Sequence, residues 1–164
     1  MKDLLDKLSS YNLFNYLLPG IIFVVVSSSF TAYSFVQQDV ILGVFIYYFI
    51  GLVISRIGSL VVEPILKRLK FVRFAAYEDF ISASKADEKL ELLLEVNNKY
   101  RTLCALFFLI LLLKGYEGAV ACFPVVGQWG GVVMIIGLLA MFLLSYRKQT
   151  RYITQRIAKT LKKG

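Results

Sequence analysis

The sequence predicts an all-α polytopic membrane protein, with four transmembrane helices and a helical cytosolic segment between the second and the third. Three observations carry this expectation. Of the 164 residues, 58% are hydrophobic and only 18% charged, and mean hydropathy is +0.67; a soluble domain carries about a quarter charged residues. The apolar residues are gathered into blocks of about 20, the length that crosses the hydrocarbon core of a bilayer. Eighteen of the nineteen lysines and arginines fall on alternate connections, the termini or the inner end of the second block, and only Lys114 falls on the other side. Basic residues stay on the cytoplasmic side, so both termini are expected in the cytoplasm of a bacterial cell, with the helices in its inner membrane.

In chain order, residues 1–16 read as an amphipathic interfacial lead-in, with Leu4, Leu5, Leu8 and Tyr11 at helical spacing. Its interrupting charges and the lack of a small-residue cleavage site argue against a cleaved signal peptide. Residues 17–62 form the first transmembrane hairpin. Pro19–Gly20 opens a charge-free helix running from about Leu17 to Val36, since proline suits a first helical turn. Gln37, Gln38 and Asp39 make a short turn, and a second helix runs from Val40 to Val62. Arg56 can snorkel from its inner end, and Pro64 marks its exit.

Residues 63–101 form the one sizeable polar segment, with eight basic and seven acidic residues. A helix is expected to start near Ser84, with Asp87 three residues later as a capping-box partner, and it can continue into the third span. Residues 102–146 form the second hairpin. The third helix has a short core, Leu103–Leu113, and then either continues to about Phe123 or gives way to an outer loop over 114–128. Gly115, Gly118, Pro124 and Gly127 favour the loop. The fourth helix is expected from Gly130 to Tyr146, followed by a basic tail, 147–164, with no acid. Tyr152, Ile153, Ile157 and Leu161 recur there at helical spacing, the pattern of an amphipathic helix on an anionic leaflet.

A net charge of +8 and a pI near 9.5 could suggest nucleic acid, but the basic residues lie between and after the apolar blocks rather than on one folded face. No direct nucleic-acid contact is expected. The candidate contacts with a partner or with anionic lipid are Lys67, Arg68, Lys70 and Arg73, and in the tail Arg147, Lys148, Arg151 and Arg156. Gly43, Gly51, Ser55 and Ser59 recur at four-residue spacing on the second helix, where small residues let backbones approach in lipid. That face can serve packing within the chain or between copies in a homo-oligomer. Ser27, Ser28 and Thr31 either bond back to their own helix or line a polar pore. Glu95, Asn97, Asn98 and Arg101 cluster at the membrane edge, and asparagine pairs are poor in helix interiors. They form either a hydrogen-bonded packing junction or a ligand contact.

No histidine is present, which removes the commonest general base and metal ligand. Cys104 and Cys122, if joined by one helix, lie about 27 Å apart and cannot bridge. No nucleotide loop, catalytic triad or metal-ligand spacing appears, so neither an enzyme nor a cofactor is expected. Proton-coupled transport normally needs an ionisable residue at mid-membrane depth, and none is evident.

The run Ser10-Tyr-Asn-Leu-Phe-Asn-Tyr-Leu-Leu-Pro-Gly20, with Tyr77-Glu-Asp-Phe80 and Asn97-Asn-Lys-Tyr-Arg-Thr102, resembles the small four-helix bacterial membrane proteins of anti-phage defence islands, among them the membrane subunit of the Kiwa system. The likeness covers the four-span layout and these short runs. It implies an oligomeric sensor of membrane disturbance whose cytosolic face docks a soluble partner, and it transfers no catalytic residue. A pore-forming effector and, third, a small-molecule transporter are the rival expectations.

Overall fold

In the computed structural model the backbone is described for residues 2–84, 86–87 and 89–161, and side chains from Phe14 to Ala158 apart from those at 77, 78, 85 and 88. The leucine stripe expected in the lead-in, Leu161 and Lys159, Lys162 and Lys163 lie outside the described side chains. The elements are α1 (Lys2–Phe30), α2 (Val40–Ile57), a π-helical turn (Gly58–Val62), α3 (Glu63–Arg68), α4 (Tyr77–Ser84), α5 (Lys89–Cys122) and α6 (Pro124–Leu161). No strand occurs among the described residues. Three helices are long and apolar enough to cross a membrane: Val40–Arg68, Lys89–Cys122 and Pro124–Ala158. A shorter apolar stretch, Phe14–Phe30, belongs to α1.

Several boundaries differ from those the sequence suggests, and each has a local cause. Pro19 does not open a helix; it lies inside α1, which runs unbroken from the lead-in. A proline there removes one backbone hydrogen bond, a loss that close neighbours can offset in an apolar setting. At its far end α1 stops at Phe30, six residues before Val36. The Thr31 hydroxyl donates to the Ser27 carbonyl at 2.8 Å and accepts from the Tyr33 N–H at 3.2 Å, a local bond set that competes with helix propagation. The chain then runs irregularly to Gln37, whose N–H donates to the Tyr47 hydroxyl. Asp39 caps α2 by accepting from the Leu42 N–H at 2.9 Å.

Pro64 does not end the second helix either. It sits in the first turn of α3, where its missing N–H costs least, and the helical path continues to Arg68. The true end is a Schellman-type turn: Phe71 N–H donates to Leu66 O and Lys70 N–H to Lys67 O, both at 3.0 Å. Lys70 takes the left-handed position with φ 58°, usually occupied by glycine. The later helix begins at Lys89 rather than near Ser84, with Asp87 Oδ1 accepting its N–H; Ser84 instead closes α4 by bonding back to Ile81. The outer loop over 114–128 is absent. α5 runs to Cys122 and α6 starts at Pro124, so Phe123 is the only residue between them. Glycines 115 and 118 are accommodated within α5 and glycine 127 within α6. The basic tail continues α6 as far as Leu161.

The core is built by α1, α2 and α5. Ile54, Ala105, Leu106 and Ile110 are buried together, with Ile22, Phe23, Val26, Ile50, Val62 and Leu109 packed around them. α1 and α2 meet backbone to backbone: a Cβ on Gly51 would strike the Tyr16 carbonyl, and one on Gly20 the Tyr47 carbonyl. Neither contact leaves room for any side chain. Gly43 is different, since the nearest atoms to a Cβ there are a Tyr47 ring carbon and a Gln37 Cβ at 3.4 and 3.5 Å. Gly51→Ala is therefore expected to destabilise by about 1–3 kcal/mol, the usual cost of forced overpacking, whereas Gly43→Ala is neutral or stabilising because alanine is the better helix former. Equilibrium unfolding of the two variants in detergent micelles measures the contrast.

Candidate functional site

Polar chemistry concentrates where the π-turn, α3, α5 and α6 converge. A π-turn inserts one residue into a helix and redirects the side chains that follow; such turns recur at functional sites. Here the Glu63 N–H bonds back to the Gly58 carbonyl, five residues earlier. Gly58 faces α5, where its position for a Cβ lies 3.3 Å from the Arg101 carbonyl. Ser59 faces α6: Lys148 Nζ donates to its hydroxyl at 2.7 Å and its carbonyl at 2.9 Å. Glu63 faces α5 and its own helix at once. Its carboxylate accepts from Arg101 at 2.6 Å and from Lys67 at 2.8 Å.

Glu63 is 11% exposed and Arg101 20%, so both charges are largely out of water. A carboxylate held by two cations compensates the desolvation that a lone buried charge would suffer. Lys67 also stands over the Phe74 ring, 4.0 Å from its centroid, a cation–π contact that ties the turn after α3 to the same site. Arg101 Nε is buried without a hydrogen-bond partner. Two cavities flank this centre. One, of about 380 Å³, is lined by Phe74, Phe80, Asn98 and Arg101. The other, of about 890 Å³, is lined by Lys67, Arg147, Lys148 and Arg151.

The residues singled out in the sequence separate here. Lys67, Arg147, Lys148 and Arg151 share the larger cavity, while Arg68, Lys70, Arg73 and Arg156 are exposed and line neither cavity. Of the membrane-edge cluster, Asn98 and Arg101 line the smaller cavity. Glu95 pairs with Lys99 at 2.7 Å, and Asn97 is exposed. The small residues of the second helix do not present one seam: Gly51 packs on α1, Ser59 on α6, and Ser55 is half-buried. The hydroxyls of α1 bond their own helix, Ser27 to Val24, Ser28 to Val25 and Thr31 to Ser27. Ser27 is fully buried and Ser28 exposed, so they share no common lining.

Sequence reasoning passed over Glu63, the centre of the site, as one of seven acids in its segment. Its signal was position, a single acid immediately before Pro64 and four residues before Lys67. Among the described residues no group of three or more His, Cys, Asp or Glu could hold a metal ion. No protein-family model, curated protein or solved structure matches the chain.

A double-mutant cycle on Glu63→Gln and Arg101→Gln is expected to give a coupling energy of about 1–3 kcal/mol, the range for contacting residues in one charge network. The more exposed pair Glu95–Lys99 should give about 0.5 kcal/mol or less. Unfolding in micelles reports both cycles.

Proposed function

We propose that this chain is a non-enzymatic, oligomeric protein of the bacterial inner membrane that docks a cytosolic protein partner at its basic end. In this reading α1 supplies a fourth span, both termini are cytoplasmic, and the Glu63–Arg101–Lys148 centre marks the cytoplasmic headgroup level. The observation that carries the docking role lies on α5 before Arg101. Leu92, Val96 and Tyr100 follow one another at four-residue spacing and are exposed, Leu92 by 62% and Tyr100 by 65%, with Leu93 also 61% exposed. Lys89, Glu91, Glu95 and Lys99 are interleaved with them, which keeps this stretch out of hydrocarbon. Apolar side chains at helical spacing, in water and rimmed by charge, form a face that another helix covers.

The resemblance to membrane subunits of anti-phage defence islands supports placing that partner in a defence system, with this chain as the sensor of membrane disturbance. The bonding of the α1 hydroxyls to their own helix weighs against a pore lined by them. The lack of a mid-depth ionisable residue weighs against proton-coupled transport.

Purification of the tagged protein from cells carrying its native operon is expected to recover a soluble partner at fixed stoichiometry on a multimer. Replacing Leu92, Leu93 and Tyr100 together with serine should reduce that recovery about tenfold or more, as expected for loss of an apolar anchor cluster, with the multimer intact. A partner retained at the wild-type level by the triple variant, or none with the wild type, overturns the docking face. The topology is checked separately in intact spheroplasts: a membrane-impermeant thiol reagent should label Cys122 and leave a cysteine at Ala158 unlabelled, and the reverse pattern rejects it.

A further inference from the structure

α6 is held to the rest of the fold at few points. At one end a Cβ on Gly130 would strike the Tyr116 hydroxyl; midway Phe142 stacks on Phe49 with ring centroids 6.2 Å apart; at the other end Lys148 holds Ser59. Between the last two, α6 stands off from α2 and α5. The gap is an apolar cavity of about 690 Å³, walled by Ile50, Val53, Ile57, Leu113, Leu138 and Met141 among others. Protein interiors are close-packed, and in a bilayer an apolar gap of this size is filled by hydrocarbon.

This cavity abuts the 890 Å³ basic cavity. Leu60 and Leu144 belong to the walls of both. One groove therefore runs along the α2–α6 seam from an apolar floor to a cationic mouth. The mouth carries Lys67, Arg147, Lys148 and Arg151 against a single carboxylate, Glu63, which Lys67 and Arg101 already occupy. Among the described residues Lys148 has no carboxylate partner; both of its hydrogen bonds go to Ser59, a neutral group.

We propose that this groove binds one anionic phospholipid, its phosphate at Lys148, Arg147 and Arg151 and an acyl chain on the apolar floor. Charge complementarity selects this occupant. Basic pockets at the headgroup level between helices suit anionic lipid, and a zwitterionic lipid brings no net charge. A second copy of this chain has nothing to match the mouth, because α6 carries no acid and Glu63 is enclosed in its own copy's site. A soluble phosphate would leave the apolar floor without an occupant. The site stands on the membrane character of the helices and not on the docking face of α5.

The test is native mass spectrometry of the full chain in detergent, titrated separately with phosphatidylglycerol, phosphatidylethanolamine and glycerol 3-phosphate. One phosphatidylglycerol per chain should be retained, against little phosphatidylethanolamine or glycerol 3-phosphate. Arg147→Gln with Arg151→Gln, both exposed and remote from the Glu63 ion pairs, should weaken retention about thirtyfold, since each interfacial cation contributes on the order of 1 kcal/mol. Leu144→Trp, placed where the cavities meet, should also release the lipid while Arg147 and Arg151 remain. Equal retention of the two lipids, or retention unchanged by both variants, overturns the site. Glycerol 3-phosphate held as tightly as the lipid overturns the acyl-chain half and reduces the mouth to a phosphate site. A chain-to-chain contact that Leu144→Trp dissociates, with no lipid bound to the wild type, assigns the groove to a second copy instead.

Discussion

The arrangement of the basic end depends on the π-turn at Gly58–Val62. In an uninterrupted α-helix, residues 51, 55 and 59 would continue along one face and Glu63 would follow them. The inserted residue turns the tail of the helix, so that Gly58 seats against the Arg101 carbonyl while Ser59 meets Lys148 and Glu63 meets Arg101. A single backbone irregularity thus lets one helix address two neighbours within six residues. Without it the carboxylate would lose its position beside Arg101, and burying that guanidinium unpaired would be costly.

The remaining packing follows from how closely the backbones approach. Gly20 and Gly51 bring α1 and α2 into direct main-chain contact, and α5 completes a three-helix core around Leu106, which is fully buried. In lipid there is no hydrophobic drive to bring helices together, so close backbone approach and polar contacts decide the partners. α6 has neither along most of its length. Only 6% of its most apolar stretch is buried within the chain, and polar or aromatic contacts at intervals do the holding. The fold is therefore a tight trio with a fourth helix set against it.

The existence of the helices was legible because apolar blocks of that length have one stable outcome in a membrane. Their ends were not, for reasons that recur. Val36 is as apolar as any span residue, and the hydroxyl bonding of Thr31 that stops α1 six residues earlier leaves no mark on hydropathy. Proline and glycine misled in the opposite direction. Pro19 and Pro64, and glycines 115, 118 and 127, punctuate a soluble sequence, yet here they lie inside helices whose neighbours outweigh local propensity. Lys70 stands where glycine would have announced the end of α3. At the site, Arg101 and Lys148 were recognisable as basic residues near a membrane edge, but the carboxylate that organises them was one acid among many. A π-turn has no sequence signature, so the side chains it brings together could not be assigned to one place.

The unbroken continuation of α6 past Tyr146 has a mechanical consequence. The 15 residues from there to Leu161 make a rod of about 22 Å at 1.5 Å per residue. With its upper part weakly held against the trio, a reorientation of α6 by about 10° would sweep the far end of that rod through about 4 Å by the same geometry. Small changes in bilayer thickness are accommodated by helix tilt. The basic tail is then a pointer, and what it amplifies is the angle of one loosely seated helix.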